Sequence, residues 1–409
     1  MKVEILLKRR EALGKSLTNG DTMIIFAAEE PTGISKFQQN NNFLYLTGLY
    51  TTPDAIFVYT KNQDKITETL YIQRNIPERI VWDGAKMYPE QAKEISGIKT
   101  IKFLDEFEES ICSTLFASKK MIINTGLIAV NKPLNRPLHF VSKVKEKILH
   151  LVYADANQVM MPLRQIKGKT EVEYLTTAIE ITGFGLDSIF RNAKAGMYEY
   201  ELEAMLFYEM RKRGLTHFGF APIIAGGINA TTLHYKENDM QIQNNDLVLC
   251  DVGALYNNYS ADITRTFPIG KKFTKRQKEV YSAVLNVQKA IIKEVKPKAT
   301  MTDINNKTGE LIGEACVKLG LIKDPKEYRK YYMHSIGHHL GMDTHDLGPR
   351  DSVLQEGMVI TIEPGIYIPE ERIGVRIEDD ILVTKKGNQV LSAMIPKEID
   401  ELEKIRSKA

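Results

Sequence analysis

The chain mixes short apolar runs with stretches in which apolar residues recur every three or four positions. From residue 1 to about 155 the short runs dominate: Thr22-Met-Ile-Ile-Phe-Ala-Ala, Ala55-Ile-Phe-Val-Tyr, Leu70-Tyr-Ile and Lys119-Lys-Met-Ile-Ile-Asn each predict a strand between turn residues. Tyr88–Ile95 and Val141–Val152 carry helical spacing, so this part reads as a smaller α/β domain. Pro162 and Gly168 then interrupt the pattern, which sets the expected domains as 1–158 and 159–409. A helix is predicted to start at Thr170, where Thr170 and Glu173 have the spacing of a reciprocal cap, and it continues through Leu175, Ile179, Leu186 and Ile189. Further helices are predicted at 199–213, 274–295 and 302–319.

Strands are predicted at Phe220–Ile224, Leu233-His-Tyr, Leu247–Gly253 and Asp262–Phe267. After the helix 302–319 and the segment 331–344 comes a second hairpin, made of Met358-Val-Ile-Thr-Ile and the run Gly374–Val383, with Pro364-Gly365 between them. Helix followed by hairpin, twice over, predicts a two-fold internal repeat with one site shared between the halves.

Both hairpins carry acids where a buried strand would hold apolar residues. Asp251 and Asp262 flank an Asn257-Asn258 turn; Glu363 ends one apolar run and Glu378 lies in the next. Four carboxylates in one interior site would repel and would cost several kcal/mol per ion to desolvate unless cations neutralised them. Two divalent metals would do so. With His338 as the one imidazole, the donor set is hard and oxygen-rich, which suits Mn²⁺ better than a structural zinc site built from Cys and His.

At this point the residues resemble a known family. Asp251 in DVGALY, Asp262 in SADITRTF, His338 in HSIGHHLGMDTHD, Glu363 in TIEPGIY and Glu378 in VRIEDD look like the five dinuclear-metal ligands of the pita-bread metallopeptidases. Arg9-Arg10, Asn41–Gly48 and Trp82-Asp-Gly84 resemble the N-terminal domain of aminopeptidase P and its prolidase relatives. The resemblance implies an α+β fold, with a C-terminal pita-bread domain of pseudo-two-fold symmetry behind the smaller N-terminal one. It implies two divalent metal ions, Mn²⁺ foremost, bridged by Asp262 and Glu378, and a shared hydroxide that attacks the scissile carbonyl.

The same resemblance makes Glu363 a ligand that also relays protons. His234 and His345 would donate to the developing oxyanion or the bound peptide, with His334 a third substrate-side residue. Its implied substrates are peptides with an N-terminal X-Pro sequence, and its members assemble as dimers or tetramers. Prolidase, which takes only X-Pro dipeptides, is the alternative within the class, and a binding protein that lost catalysis is the alternative outside it. No ligand position is substituted here, as it usually is in such proteins.

Several residues have two readings. A lone histidine is often structural, and His339, beside His338 on the opposite side of an extended segment, is read that way. Arg376, two residues before Glu378, either orients a ligand carboxylate or sits on the surface. Tyr367 lines the pocket or packs; Trp82, the single tryptophan, belongs to the core or reaches a neighbouring subunit.

Composition adds little. The 409 residues favour two domains, and 55 basic against 52 acidic residues produce no field that would call for nucleic acid or an anionic membrane as partner. The basic N-terminus lacks an apolar signal core, no run of eighteen apolar residues occurs, and three cysteines are too few for a disulfide framework, so a cytoplasmic setting is expected.

Overall fold

The computed structural model describes residues 1–31, 36–126, 129–215, 217–349 and 351–408. The chain divides into two compact units, Met1–Leu163 and Arg164–Ala409. Among the described residues, no helix is long and apolar enough to cross a membrane.

The first unit is built on six strands: β1 (Asp21–Phe26), β2 (Ile56–Asn62), β3 (Lys65–Ile72), β4 (Thr100–Phe103), β5 (Lys120–Ile123) and β6 (Val152–Asp155). They form one mixed sheet in the order β4-β3-β2-β1-β5-β6. Phe26, Ile56 and Met121 on one face bury against Phe107 and Phe140 from the helices Phe107–Phe116 and Arg136–Lys145. That second helix starts earlier than its periodicity predicts, because Asn135 caps it by accepting from the Leu138 amide at 3.0 Å. It also stops earlier: Val152 leaves the helical pattern to pair with β5, the gain of a ladder outweighing local propensity.

Arg10, 1% exposed, explains the Arg9-Arg10 pair. Its guanidinium donates to the Leu46 carbonyl at 2.8 Å and the Ser96 carbonyl at 2.9 Å, tying the ends of the helices Asn41–Thr47 and Pro89–Ser96. Phe43 and Tyr45 are core residues, whereas Trp82 is 83% exposed on the helix Pro77–Asp83, which buries none of its side chains. Trp82 is therefore not a core residue of this unit.

In the second unit the helix Lys169–Asn192 begins one residue before Thr170. Glu171, not Glu173, caps it, accepting from the Gly168 amide at 3.0 Å, while its other oxygen takes the Tyr259 hydroxyl at 2.7 Å. The helices Glu199–Lys212, Lys275–Ile292 and Met301–Lys318 follow close to the predicted ranges. Leu233-His-Tyr is not a strand. After β7 (Ile223–Gly226), Gly227 adopts a positive φ of 53° and opens a single helical turn, Gly227–Thr231, so the chain reaches residue 234 in a turn.

Each half then nests one hairpin inside another. β8 (Leu247–Val252) pairs antiparallel with β11 (Ile263–Pro268), and between them β9 (Leu255–Tyr256) and β10 (Tyr259–Ser260) close over Asn257 and Asn258, with φ of 49° and 60°. Two positive φ values suit Asn and give the turn that matches strand twist. β12 (Val359–Ile362) pairs with β15 (Asp379–Thr384), enclosing β13 (Gly365–Ile368) and β14 (Ile373–Arg376). The apolar run Gly374–Val383 is thus two strands in different sheets, broken at Ile377-Glu378.

At that break the Glu378 amide donates to the Thr264 carbonyl at 3.0 Å, so the halves join beside the acids. β7 borders β8, and β16 (Gly387–Val390) borders β15. Residues 336–340 run extended along β12, with the Thr361 amide donating to the His338 carbonyl at 2.9 Å. A Cβ at Gly337 would lie 2.0 Å from the Thr361 carbonyl oxygen, so only glycine permits this approach.

Candidate metal centre

Asp251, Asp262, His338, Glu363 and Glu378 all line one cavity of about 900 Å³, together with His234, His334, His345 and Arg376. The two nested hairpins bring four of the acids to this cavity, and the extended segment beside β12 brings His338. One donor atom each from Asp262, His338 and Glu378 lies within 4.8 Å of the others. His338 Nε2 is 3.3 Å from Asp262 Oδ2 and 3.7 Å from Glu363 Oε1.

Neighbouring side chains fix the orientation of these donors. His338 Nδ1 lies 3.0 Å from the His339 carbonyl, which requires the proton on Nδ1 and turns Nε2 toward the acids, where it would offer its lone pair to a cation once its own proton is displaced. Thr264 Oγ1 donates to Glu378 Oε2 at 2.7 Å and accepts from Arg376 Nε at 3.0 Å. Arg376 Nη2 donates to Asp251 Oδ2 at 2.6 Å. Arg376 is buried, and the carboxylate it orients is Asp251 rather than Glu378, because the chain changes sheets between Arg376 and Asp379.

Arg376 also donates to the Tyr367 hydroxyl at 3.1 Å, which lies 2.8 Å from His334 Nε2. His334 Nδ1 lies 2.8 Å from the Ser335 carbonyl, so His334 is a neutral ring with its proton on Nδ1. The His345 ring centre is 4.0 Å from that of His338. His234 stands exposed in its turn at the cavity wall. His339 is buried, with Nε2 2.9 Å from Ser352 Oγ, a packing role.

The electrostatics follow from burial. Desolvation pushes the Asp262 carboxyl up to about 6, with the hydrogen bond from His338 opposing and the Asp251 charge adding to the rise. Burial pushes Glu363 up to about 7 against the pull of His338 and Arg376, and it pushes Glu378 well above the carboxylate range, with Asp262 and Glu363 adding to it. His338 moves the other way. Burial disfavours its charge, but the hydrogen bond and charge of Asp262 outweigh this and carry it to about 9. His334 falls to about 4, mainly by burial and also by the Arg376 charge.

The excess negative charge in this cluster is thus held off by protons, in the space where a cation could do the same work. The residues fit divalent cations on two counts: the donors are carboxylate oxygens with one imidazole, and Asp251 Oδ1 is buried without a hydrogen-bond partner among the described residues.

Sequence reasoning missed Thr264, Thr361 and Asp380. Thr361 Oγ1 accepts from the His338 amide at 3.1 Å and lies 3.4 Å from Glu363 Oε1, and Asp380 Oδ2 accepts from the Asp262 amide at 3.2 Å. Period two would have found them: Thr264 stands two after Asp262, Thr361 two before Glu363 and Asp380 two after Glu378.

The model of metallopeptidase family M24 matches residues 173–385, and that of the aminopeptidase P N-terminal domain matches residues 6–123. Xaa-Pro aminopeptidase 3 of Homo sapiens is 34% identical over 98% of this chain and 84% of its own length. The chain belongs to metallopeptidase family M24. Xaa-Pro aminopeptidase of Escherichia coli strain K12 is 30% identical, covering 97% of this chain and 96% of its own. A Bacillus anthracis protein solved as a candidate aminopeptidase P superposes with a TM-score of 0.96 at 40% identity, over 100% of this chain and 99% of that one. As an M24 metallopeptidase the protein is a hydrolase, a metal-dependent aminopeptidase that works with divalent metal ions, and its α+β fold is that of aminopeptidase P.

Proposed function

We propose that this M24 metallopeptidase releases the N-terminal residue from peptides whose second residue is proline, using two Mn²⁺ ions held by Asp251, Asp262, His338, Glu363 and Glu378. The observation that carries the reading is the convergence of those five side chains on one cavity, with Asp262, His338 and Glu378 within bonding reach of a common point. Such ions would supply Lewis acidity, polarising a scissile carbonyl and acidifying water beside it.

The protein's own residues do the rest. Glu363, whose side chain is less buried than those of Asp262 and Glu378, is the carboxylate placed to pass a proton to the leaving nitrogen. His345, its ring tilted against that of His338, and His234 on the cavity wall donate to the peptide carbonyl as charge develops on it. His334, locked by Tyr367 and Ser335, stays neutral and contacts the substrate without adding charge. Arg376 and Thr264 hold Asp251 and Glu378 in place.

The X-Pro preference rests on the names of the relatives and suits the cavity. An X-Pro bond is a tertiary amide without an N–H, and Phe220, Ile223, Leu233 and Met301 offer apolar surface for a ring. We also infer a cytoplasmic setting, supported by three unpaired cysteines, and an assembly of two or four chains, supported by exposed Val81 and Trp82.

The test is hydrolysis of Arg-Pro-Pro beside Gly-Pro on chelated protein, with and without added Mn²⁺. Metal-dependent release of Arg from the tripeptide supports the reading. Cleavage of Gly-Pro alone would make the protein a dipeptidase, and cleavage of neither would remove the proposed substrate.

A further inference from the structure

Glu199 is a fully buried carboxylate far from the cluster of acids in sequence, and the reaction described above does not use it. It is the first residue of the helix Glu199–Lys212, where the exposed amides of the helix end favour an anion. Its Oε1 accepts from the Gly226 amide at 2.7 Å and from Asn229 Nδ2 at 3.0 Å. Its Oε2 accepts from the Tyr235 hydroxyl at 2.7 Å and the Met240 amide at 3.0 Å. One side chain therefore gathers donors from four points along residues 226–240.

That segment is the cavity wall carrying Leu233, His234 and Lys236. Tyr235 is buried and donates to Glu199, while His234 and Lys236 on either side of it line the cavity. Asn238 adds a second pin, accepting from the Ile224 amide at 3.0 Å and donating to the Pro222 carbonyl at 3.0 Å. His234 itself stands exposed, so its position depends on what holds the residues around it.

We propose that Glu199 is a positioning residue for the aminopeptidase reaction: by anchoring Tyr235, it holds the turn that presents His234 to the substrate. The inference rests on the role proposed for His234. A carboxylate is needed because all four donors require an acceptor, and an amide would turn an N–H₂ group against at least one of them. Small displacements of a group that must meet a reacting carbonyl are costly in rate, up to about a hundredfold per ångström.

The experiment is a double-mutant cycle on metal-loaded protein with an X-Pro-X tripeptide. Glu199→Gln and Tyr235→Phe are each made with His234 present and in a His234→Ala background. Melting temperature and bound metal are measured for every variant. Glu199→Gln is expected to lower kcat/KM about tenfold, and Tyr235→Phe, which removes one hydrogen bond and leaves the carboxylate, about threefold. In the His234→Ala background both losses should shrink to within about twofold, the limit of additivity for groups that do not act through one another.

Equal losses in both backgrounds, or no loss in either, would overturn the inference. If Glu199→Gln fails to fold, Tyr235→Phe alone decides. Turnover by the parent enzyme with an additive cycle rejects only Glu199 as a positioning residue. An His234→Ala variant as active as the parent rejects the role of His234 and the inference together, and a parent without X-Pro activity rejects the proposed substrate.

Discussion

Asp379 and its two neighbours, Glu378 and Asp380, are all buried, yet they hold opposite electrostatic states. Asp379 accepts from Arg265 Nη2 at 2.7 Å and Gln288 Nε2 at 2.7 Å, and it also pairs with the Lys397 ammonium. Burial alone would raise its carboxyl, but Arg265 and Lys397 keep it below the usual range. Glu378 and Asp380 face the other way. Their carboxylates accept from the Thr264 hydroxyl and the Asp262 amide, neutral donors, and burial drives both well above the usual range. One face of the strand carries an acid with its counter-ions built in, and the other carries acids whose neutralisation is left to something that binds. That difference separates structural charge from functional charge.

The largest expected effect separates the two faces by mutation. Asp262→Asn should lower turnover about a thousandfold or more, the scale of losing metal-assisted stabilisation. It should lower the melting temperature of the chelated protein much less than Asp379→Asn does, since its charged partner, His338, can give up its proton and become neutral when the carboxylate is gone. Asp379→Asn should do the reverse in denaturant titrations, costing about 3–5 kcal/mol of stability because Arg265 and Lys397 are left buried and underpaired. Equal destabilisation of the chelated protein by both substitutions would erase the comparison.

An intermediate effect sharpens it. Arg376→Met frees Asp251, the carboxylate of the cluster that the buried guanidinium holds at 2.6 Å, and should lower metal affinity about 10- to 100-fold as read by competition with a chelator. Unchanged affinity would make Arg376 a packing residue.

The pH dependence tests the same division with signs that can be worked out. The Asp262 and Glu363 carboxyls lie at about 6 and about 7 in the fold, above their unfolded values near 4. As pH rises from about 4 to 7 the unfolded chain releases these protons first, so the stability these two groups contribute to the chelated protein is lost across that window. His338, raised to about 9, adds stability that is complete below its unfolded value near 6.5 and is lost as pH climbs through 9. Asp379 works oppositely: its contribution is present above about 4 and disappears as pH falls below that. Melting scans from pH 4 to 9 should therefore fall with pH for chelated protein, and added Mn²⁺ should flatten the decline. A rise in stability across this range without metal would contradict the shifts.

The acids of the site were legible because each interrupts or ends an apolar strand run, where an unpaired charge is too expensive to be idle. Two hairpins each carrying two acids could be read from the same runs. The nesting could not. Ile377 continues an unbroken apolar pattern, and only the Glu378 amide's bond to Thr264, 114 residues away in sequence, shows the chain leaving one sheet for another. The ion pair of Arg265 with Asp379 is equally non-local and leaves no periodic trace. Leu233-His-Tyr has strand-like composition and forms a turn, because Gly227 redirects the chain and Glu199 claims Tyr235 from another helix. Of the two readings open for Trp82, the structure removes the core one: the side chain stands in solvent, since its short helix buries nothing.

The most direct test of the central claim is calorimetric titration of chelated protein with Mn²⁺ at pH 6.5, in two buffers of different ionisation enthalpy. If the cluster's protons stand in for cations, binding must expel them. Two ions should bind per chain with net proton release, and both the release and the binding should weaken sharply in Asp262→Asn. Binding without proton release, or with equal release from the variant, would contradict the account.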